Sequence, residues 1–443
     1  MLRRKAFAEL QNWKNKTDKK SLIVSGARQI GKTYIIREFG KEYTSFIELN
    51  FLEQPELCKI FRNNLTVDSI LMGIRLSKPD VSIVEGETLL FLDEIQECPE
   101  AITSLKFMTE DSRIDVISSG SALGMAYNRT TSFPVGYVEY LDMYSLDFEE
   151  FLWAMKVEED IIEHVKGHFE NLTEVEEVID KKFAQFLRQY MALGGMPEVV
   201  ATFQEESDYR RANEIQKRIY RDYLADIARF ALPSEKLKAE KCYRSIPSQL
   251  MKDNHKFQYG IVESKGTARK FENSVDWLFS AHMVVDVKNV GYVEYPLQLH
   301  EIDDNFRLYP TDIGLLISTF DYSIIPAILE DEEESSHIIL KTAKGGLYEA
   351  LIADILFKRG YDKLHFYRNE AGTAEMEFLI EDETGVVPVE VKAGKKKAKT
   401  LDNLLKKEDL VKGYKLANQN VGVVGKKITL PLYMAIWIGK NEK

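Results

Sequence analysis

The stretch that most constrains this chain is SLIVSGARQIGKTYIIREF, from Ser21 to Phe39. Leu22, Ile23 and Val24 form an apolar run that enters Gly26-Ala27-Arg28-Gln29-Ile30-Gly31-Lys32-Thr33, and a helical pattern with Ile35, Ile36 and Phe39 follows. The G-x-x-x-x-G-K-[ST] pattern is complete and sits in the strand–loop–helix setting it requires. The glycines let the backbone curl so that its N–H groups point inward at the positive end of a helix, which suits phosphate oxygens. Residues 26–33 are therefore expected to cradle the phosphates of a nucleoside triphosphate. Lys32 is expected to reach the β- and γ-phosphates, and the Thr33 hydroxyl to ligate Mg²⁺.

Further along, Thr88-Leu-Leu-Phe-Leu92 runs straight into Asp93-Glu94. Continuous apolar strands suit a parallel sheet covered on both faces, and its strand ends are where open α/β sheets bind ligands. Asp93 is expected to hold Mg²⁺, and Glu94 to orient or deprotonate the attacking water. The next strand, Ile114–Ile117, ends in Ser118-Ser119-Gly120-Ser121. Ser119 and Ser121 are candidates for touching the γ-phosphate or that water; capping of the following helix is the other reading of the same residues. Strand–helix repeats in this order predict an α/β parallel sheet with the nucleotide at its strand ends, spanning residues 1–150.

GARQIGKT, LLFLDEIQ, SSGSALG and YSLDFEEFLWA (Tyr144–Ala154) together resemble the AAA-type ATPases of bacteria and archaea. The subgroup resembled pairs this module with a C-terminal domain of unknown function. The resemblance implies a P-loop NTPase sheet that hydrolyses ATP, in relatives that often complete their sites between subunits, so a homo-oligomer is a candidate state. One position departs: many relatives carry Gly-Arg before the segment that begins near Leu146, whereas this chain has Gly136-Tyr137. The role of a γ-phosphate-sensing arginine is therefore absent here or taken by another residue.

Residues 151–235 are predicted to be helical, with core spacing at Ile215, Ile219, Tyr223 and Ile227 and a turn at Gly194-Gly195-Met196-Pro197. Residues 236–325 carry two helical patterns and then β-branched runs at Val284–Val290 and Phe306–Tyr309. That is the outline of a winged helix, in which Lys265, Arg269 and Lys270 either meet DNA or serve a scaffold.

Residues 337–443 open with a helix bearing Glu349, followed by strands at 364–368, 374–380 and 386–392. The period of two places Glu390 and Lys392 on one strand face. With Glu377 on the preceding strand, the order resembles the PD-(D/E)xK, restriction-endonuclease-like fold. That likeness implies a second Mg²⁺ held by Glu349, Glu377 and Glu390, with Lys392 steadying a water or developing phosphorane charge. Glu377 stands where that fold usually has Asp, so a domain that binds without cutting is the alternative.

The net charge of −12 argues against indiscriminate nucleic-acid binding, but the charge is uneven. Glu158 to Glu177 is acidic and reads as a solvated helix face, whereas Lys392, Lys395, Lys396, Lys397, Lys399, Lys406 and Lys407 make the last domain basic. Three scattered cysteines fit neither a disulfide framework nor a zinc site and suggest a reducing compartment. The opening segment reads as an amphipathic helix rather than a signal peptide, and no apolar run is long enough to span a membrane, so a cytoplasmic protein without membrane partners is expected. The function expected is an ATPase coupled to a nuclease-like C-terminal domain that binds nucleic acid. The alternative is a nucleotide-dependent regulatory switch that binds a protein partner.

Overall fold

Residues 21–25, 45–50, 88–93, 115–120 and 138–142 are the strands β1 to β5 of a parallel sheet ordered β2-β3-β4-β1-β5. The computed structural model describes residues 2–62, 64–120, 134–252, 254–330, 338–392 and 399–439. The chain divides into two units, of which the first contains residues 3–144 and 280–282. The apolar runs read from the sequence are buried along their whole length in β1 and β3. Leu89, Leu90, Phe91 and Leu92 are each fully buried, and such side chains contribute about 1.5–3 kcal/mol apiece. Helices Lys32–Gly40, Val67–Ser77 and Pro99–Asp111 belong to this unit. Because β4 lies between β1 and β3, the phosphate loop and the acidic pair emerge on either side of the β4 tip, where Ser119 sits.

The second unit contains residues 145–279 and 283–443. Its helices include Phe148–Ala154, Glu159–Asn171, Glu177–Leu193, Pro197–Glu206 and Tyr209–Phe230. Asp147 and Glu150 form a capping box that starts the first of them. The Gly194-Gly195 turn has a steric cause: a Cβ on Gly195 would lie 2.0 Å from the Leu146 carbonyl oxygen. Asp312 ties this region together by accepting from the Gly195 N–H at 2.8 Å and the Ser145 hydroxyl at 2.7 Å.

The same unit holds an eight-stranded mixed sheet. Its strands are β6 (Val284–Val290), β7 (Glu301–Pro310), β8 (Leu364–Arg368), β9 (Glu375–Asp382), β10 (Gly385–Lys392), β11 (Gly413–Ala417), β12 (Gly422–Val424) and β13 (Lys427–Pro431), ordered β12-β13-β11-β10-β9-β8-β6-β7. Two helices, Lys236–Leu250 and Ala268–Ser280, precede the β6–β7 hairpin in the expected order. The hairpin, however, is not a separate wing: β6 pairs in parallel with β8, Val287 opposite Leu364, and so continues the C-terminal sheet. The cause lies in the strand itself. Val284, Val285, Val287 and Val290 are all buried, which requires cover on both faces rather than the single covered face of a solvent-exposed wing. Helix Ile338–Lys358 packs on this sheet and buries Leu351, Ile352, Ile355 and Leu356. Among the described residues no helix is long and apolar enough to cross a membrane.

Candidate functional site

The loop after β1 is shaped by positive φ angles at Gly26 (138°), Gln29 (62°) and Gly31 (93°). Gly26 also has a contact reason to be glycine, since a Cβ there would lie 2.1 Å from the Met143 carbonyl oxygen. The helix begins at Lys32, so the N–H groups of its first turn have no partners inside it and face the loop. Lys32 is buried, and its ammonium donates to the carbonyl oxygens of Gly26 (2.8 Å) and Ala27 (2.6 Å). Arg4, which no motif marked, braces the loop by donating to Ile30 O at 3.0 Å and to Tyr144 O at 2.6 Å.

Asp93, at the tip of β3, is 3% exposed. Its carboxylate accepts from Thr33 Oγ1 at 3.2–3.3 Å, from Asn50 Nδ2 at 3.1 Å, from the Glu94 N–H at 3.1 Å and from the Ser119 hydroxyl. Burial pushes this carboxyl above its ordinary value, against the pull of the Ser119 and Thr33 hydroxyls and with a push from Glu94. A hydroxyl oxygen beside a buried carboxylate is the hard-oxygen donor set that Mg²⁺ prefers, so Thr33 and Asp93 fit the cation expected with ATP. Glu94 sits in the left-handed region (φ 51°), with its carboxylate accepting from Gln96 Nε2. Thr33, Asp93, Glu94 and Ser119 are thus brought to one end of the sheet; Ser121 lies outside the described residues. Asn50 was missed by sequence reasoning. Its signal was available, because a polar residue ends β2 directly opposite Asp93 in the parallel register.

The C-terminal candidates form a different arrangement. Lys392 Nζ lies 2.6 Å from Glu377 Oε1 and 3.1 Å from Glu390 Oε1. Burial works against the Lys392 ammonium, but the Glu377 and Glu390 carboxylates outweigh it and hold its pKa above the ordinary value. Burial pushes Glu377 up to about 7 despite Lys392, with Glu349 and Glu390 adding to the push. Glu390 is likewise pushed up by burial, and its Oε2 has no hydrogen-bond partner among the described residues.

Glu349 turns to other groups: its Oε2 lies 2.7 Å from His255 Nδ1 and 3.0 Å from Arg307 Nη1, and accepts from the Tyr309 hydroxyl at 3.3 Å. Burial opposes the charge on Glu349, yet His255 and Arg307 hold its carboxyl below the usual range. Arg307 is fully buried, stacks 4.1 Å from the centroid of the Phe366 ring and also pairs with Glu375. Glu349, Glu377 and Glu390 do not bring one oxygen each within 4.8 Å of one another; among the described residues only His164, His168 and Glu176 form such a three-ligand group. The three-carboxylate Mg²⁺ site implied by the nuclease resemblance therefore does not fit this arrangement of the described residues. Of the basic candidates before β6, Lys270 is paired with Glu263, which Lys241 also meets at 2.8 Å.

Comparison with known proteins divides the chain similarly. Residues 18–152 match a family described as an AAA domain; residues 184–323 and 344–434 match two domains of unknown function, DUF8612 and DUF4143. A search of curated proteins found no match. Among solved structures, a Walker-type ATPase of Pyrococcus abyssi is similar at 14% identity, covering 72% of this chain and 95% of that one with a TM-score of 0.44. The ORC1 protein of Aeropyrum pernix in complex with DNA is similar at 11% identity over 74% of this chain and 92% of its own, TM-score 0.28. AMPPCP-bound DnaA from Aquifex aeolicus is similar at 13% identity over 62% and 86%, TM-score 0.25. The AAA-domain match thus covers the same residues that fold into the P-loop-type parallel α/β sheet and carry the phosphate loop and the buried acidic strand end.

Proposed function

We propose that this chain binds ATP with Mg²⁺ at Gly26–Thr33 and hydrolyses it, and that the hydrolysis cycle governs nucleic-acid binding by the C-terminal unit. The observation that carries the first half is the convergence of Thr33, Asn50, Ser119 and Glu94 on Asp93 beside the phosphate loop. Lys32 and the N–H groups of the first helical turn neutralise the phosphates and position the γ-phosphate. Bound Mg²⁺ supplies further charge neutralisation, with Thr33 and Asp93 as the residues that hold it. Glu94 orients the attacking water and takes its proton. The basic C-terminal segment, the nuclease-like strand order and the ATPase partner support nucleic acid as the ligand, with self-association as the state in which sites are completed.

A second reading is favoured by one observation. Lys392 is engaged by Glu377 and Glu390, and Glu349 by Arg307 and His255. Such a cluster suits a nuclease-like domain that binds nucleic acid, or a protein partner, without cutting.

Incubation of supercoiled and linear DNA with Mg²⁺ or Mn²⁺, with and without ATP, separates these readings. DNA binding that responds to ATP, is altered in Glu94→Gln and weakens with salt, without cleavage, is the expected result. Cleavage lost in Lys392→Ala would instead establish a working nuclease. ATP hydrolysis without any DNA binding would leave the protein-partner switch.

A further inference from the structure

Helix Glu159–Asn171 lies in the acidic stretch that reads as a solvated face, yet it carries His164 and His168 one turn apart on the same side. Their Nε2 atoms are 3.3 Å from each other, and lie 3.2 Å and 3.4 Å from one oxygen, Glu176 Oε2. Three donor atoms therefore form a nearly equilateral triangle. Ligand atoms on a tetrahedral zinc ion, at ~2.0–2.2 Å from the metal, stand ~3.3 Å or slightly more apart. On an octahedral ion with bonds of ~2.1 Å, neighbouring ligands stand only ~3 Å apart. The triangle has the dimensions of one tetrahedral face, which leaves the fourth position open.

Two further features hold this triangle in place. His168 Nδ1 lies 2.9 Å from Thr173 Oγ1; an N–H donated there leaves Nε2 with its lone pair directed at the triangle, the outer hydrogen bond that metal-bound imidazoles use. The turn that delivers Glu176 is also pinned. The Asn420 side chain accepts from the Val175 N–H at 2.9 Å and donates to the Val175 carbonyl at 2.7 Å, and the Thr173 N–H closes back on His168 O at 3.0 Å. The His164 and Glu176 side chains are 48% and 56% exposed, so an ion reaches the site from solvent without rearrangement of the fold.

We propose that His164, His168 and Glu176 form a surface binding site for a transition-metal dication of the zinc class, with the open position taken by water or an exogenous donor. Imidazole nitrogens select such ions over Mg²⁺ and Ca²⁺, which separates this site from the nucleotide's cation. Bound metal clasps the end of the Glu159–Asn171 helix to the turn before Glu177–Leu193.

The test is titration of the full-length, tag-free protein with Zn²⁺ and, separately, with Co²⁺. The wild type is expected to take one equivalent of Zn²⁺ with micromolar or tighter affinity in excess Mg²⁺. Co²⁺ should give the intense visible absorption of tetrahedral coordination. The His164→Ala/His168→Ala double variant should lose that equivalent and that absorption, and Thr173→Val should weaken binding by at least about tenfold while keeping the stoichiometry. Because these side chains lie at the surface, the variants should melt with the wild type in chelator, and Zn²⁺ should raise the melting temperature of the wild type alone. Unchanged Zn²⁺ affinity and stoichiometry in the double variant, or the weak absorption of octahedral Co²⁺, would overturn the assignment.

Discussion

The two candidate sites, one around Asp93 and one around Lys392, are wired in opposite ways. Around Asp93 the hydrogen-bond donors are neutral: two hydroxyls, an amide side chain and a backbone N–H. Lys32 is supported by carbonyl oxygens. Neutral donors orient a carboxylate without cancelling its charge, so Asp93 keeps its attraction for a cation. Glu377 and Glu390 meet the Lys392 ammonium, and Glu349 meets the Arg307 guanidinium, so opposite charges face one another directly. Residue types alone therefore do not make a metal site; what matters is whether the supporting donors are neutral or ionic. A buried ion pair that is already complete has little to gain from a second cation.

Substitutions can break or sharpen this contrast. The largest effect is expected from Lys32→Ala, which should reduce ATP turnover by about 10³-fold or more, read as phosphate release at saturating ATP; turnover near the wild-type rate would remove the phosphate-loop assignment. Next comes Arg307→Met. Removing the buried guanidinium from Glu349 should destabilise the second unit by about 3–5 kcal/mol in denaturant unfolding, whereas Arg307→Met combined with Glu349→Leu should recover much of the loss. If the double substitution were no better than the single one, the pairing account of this cluster would fail.

A smaller effect concerns Asp286 on β6, whose carboxyl burial raises to about 6, and whose Oδ1 has no hydrogen-bond partner among the described residues. Because the folded state binds this proton more tightly than the unfolded chain does, Asp286 favours folding at low pH. That advantage is lost as pH rises from about 4 to about 6. Asp286→Asn should therefore be more stable than the wild type by up to about 3 kcal/mol at pH 8, with the difference vanishing near pH 4; a constant difference across that range would exclude titration as its cause. The smallest expected change is in Asn50→Ala, which removes one neutral donor from Asp93 and should lower ATP turnover about tenfold with little change in melting temperature.

The legibility of these regions follows the same division. The placement of Gly26–Thr33 and Asp93-Glu94 could be read directly because it depends on short, local geometry: a curled loop, a helix start and a strand end. Asn50 was not marked because its role comes from the β2–β3 register, which is a relation between segments. Arg307 was harder still. Between Phe306 and Leu308 it has the alternation of an outward-facing residue, but helix Ile338–Lys358 packs against β7 and Arg307 is fully buried. The order helix-Glu349, Glu377, Glu390-x-Lys392 was legible as an order of elements. The side chains that meet Glu349, His255 and Arg307, come from the 254–310 region and cannot be inferred from that order. The departure of the β6–β7 hairpin has the same origin: two helices and a hairpin are visible locally, but the partner of β6 arrives only at β8.

That long wait has a consequence during synthesis. The strands of the first sheet have all been made once the ribosome passes residue 142, so their pairing needs nothing from the long segment that follows. The β6–β7 hairpin, in contrast, leaves the ribosome with one edge of β6 unpaired until residues 364–368 appear. At ~5–20 residues per second, several seconds separate these events. During that interval a valine-rich edge and the Arg307 side chain are without their later sheet neighbours. A pause in translation between residues 310 and 364 should therefore lower the yield of native protein more than an equal pause between residues 142 and 284.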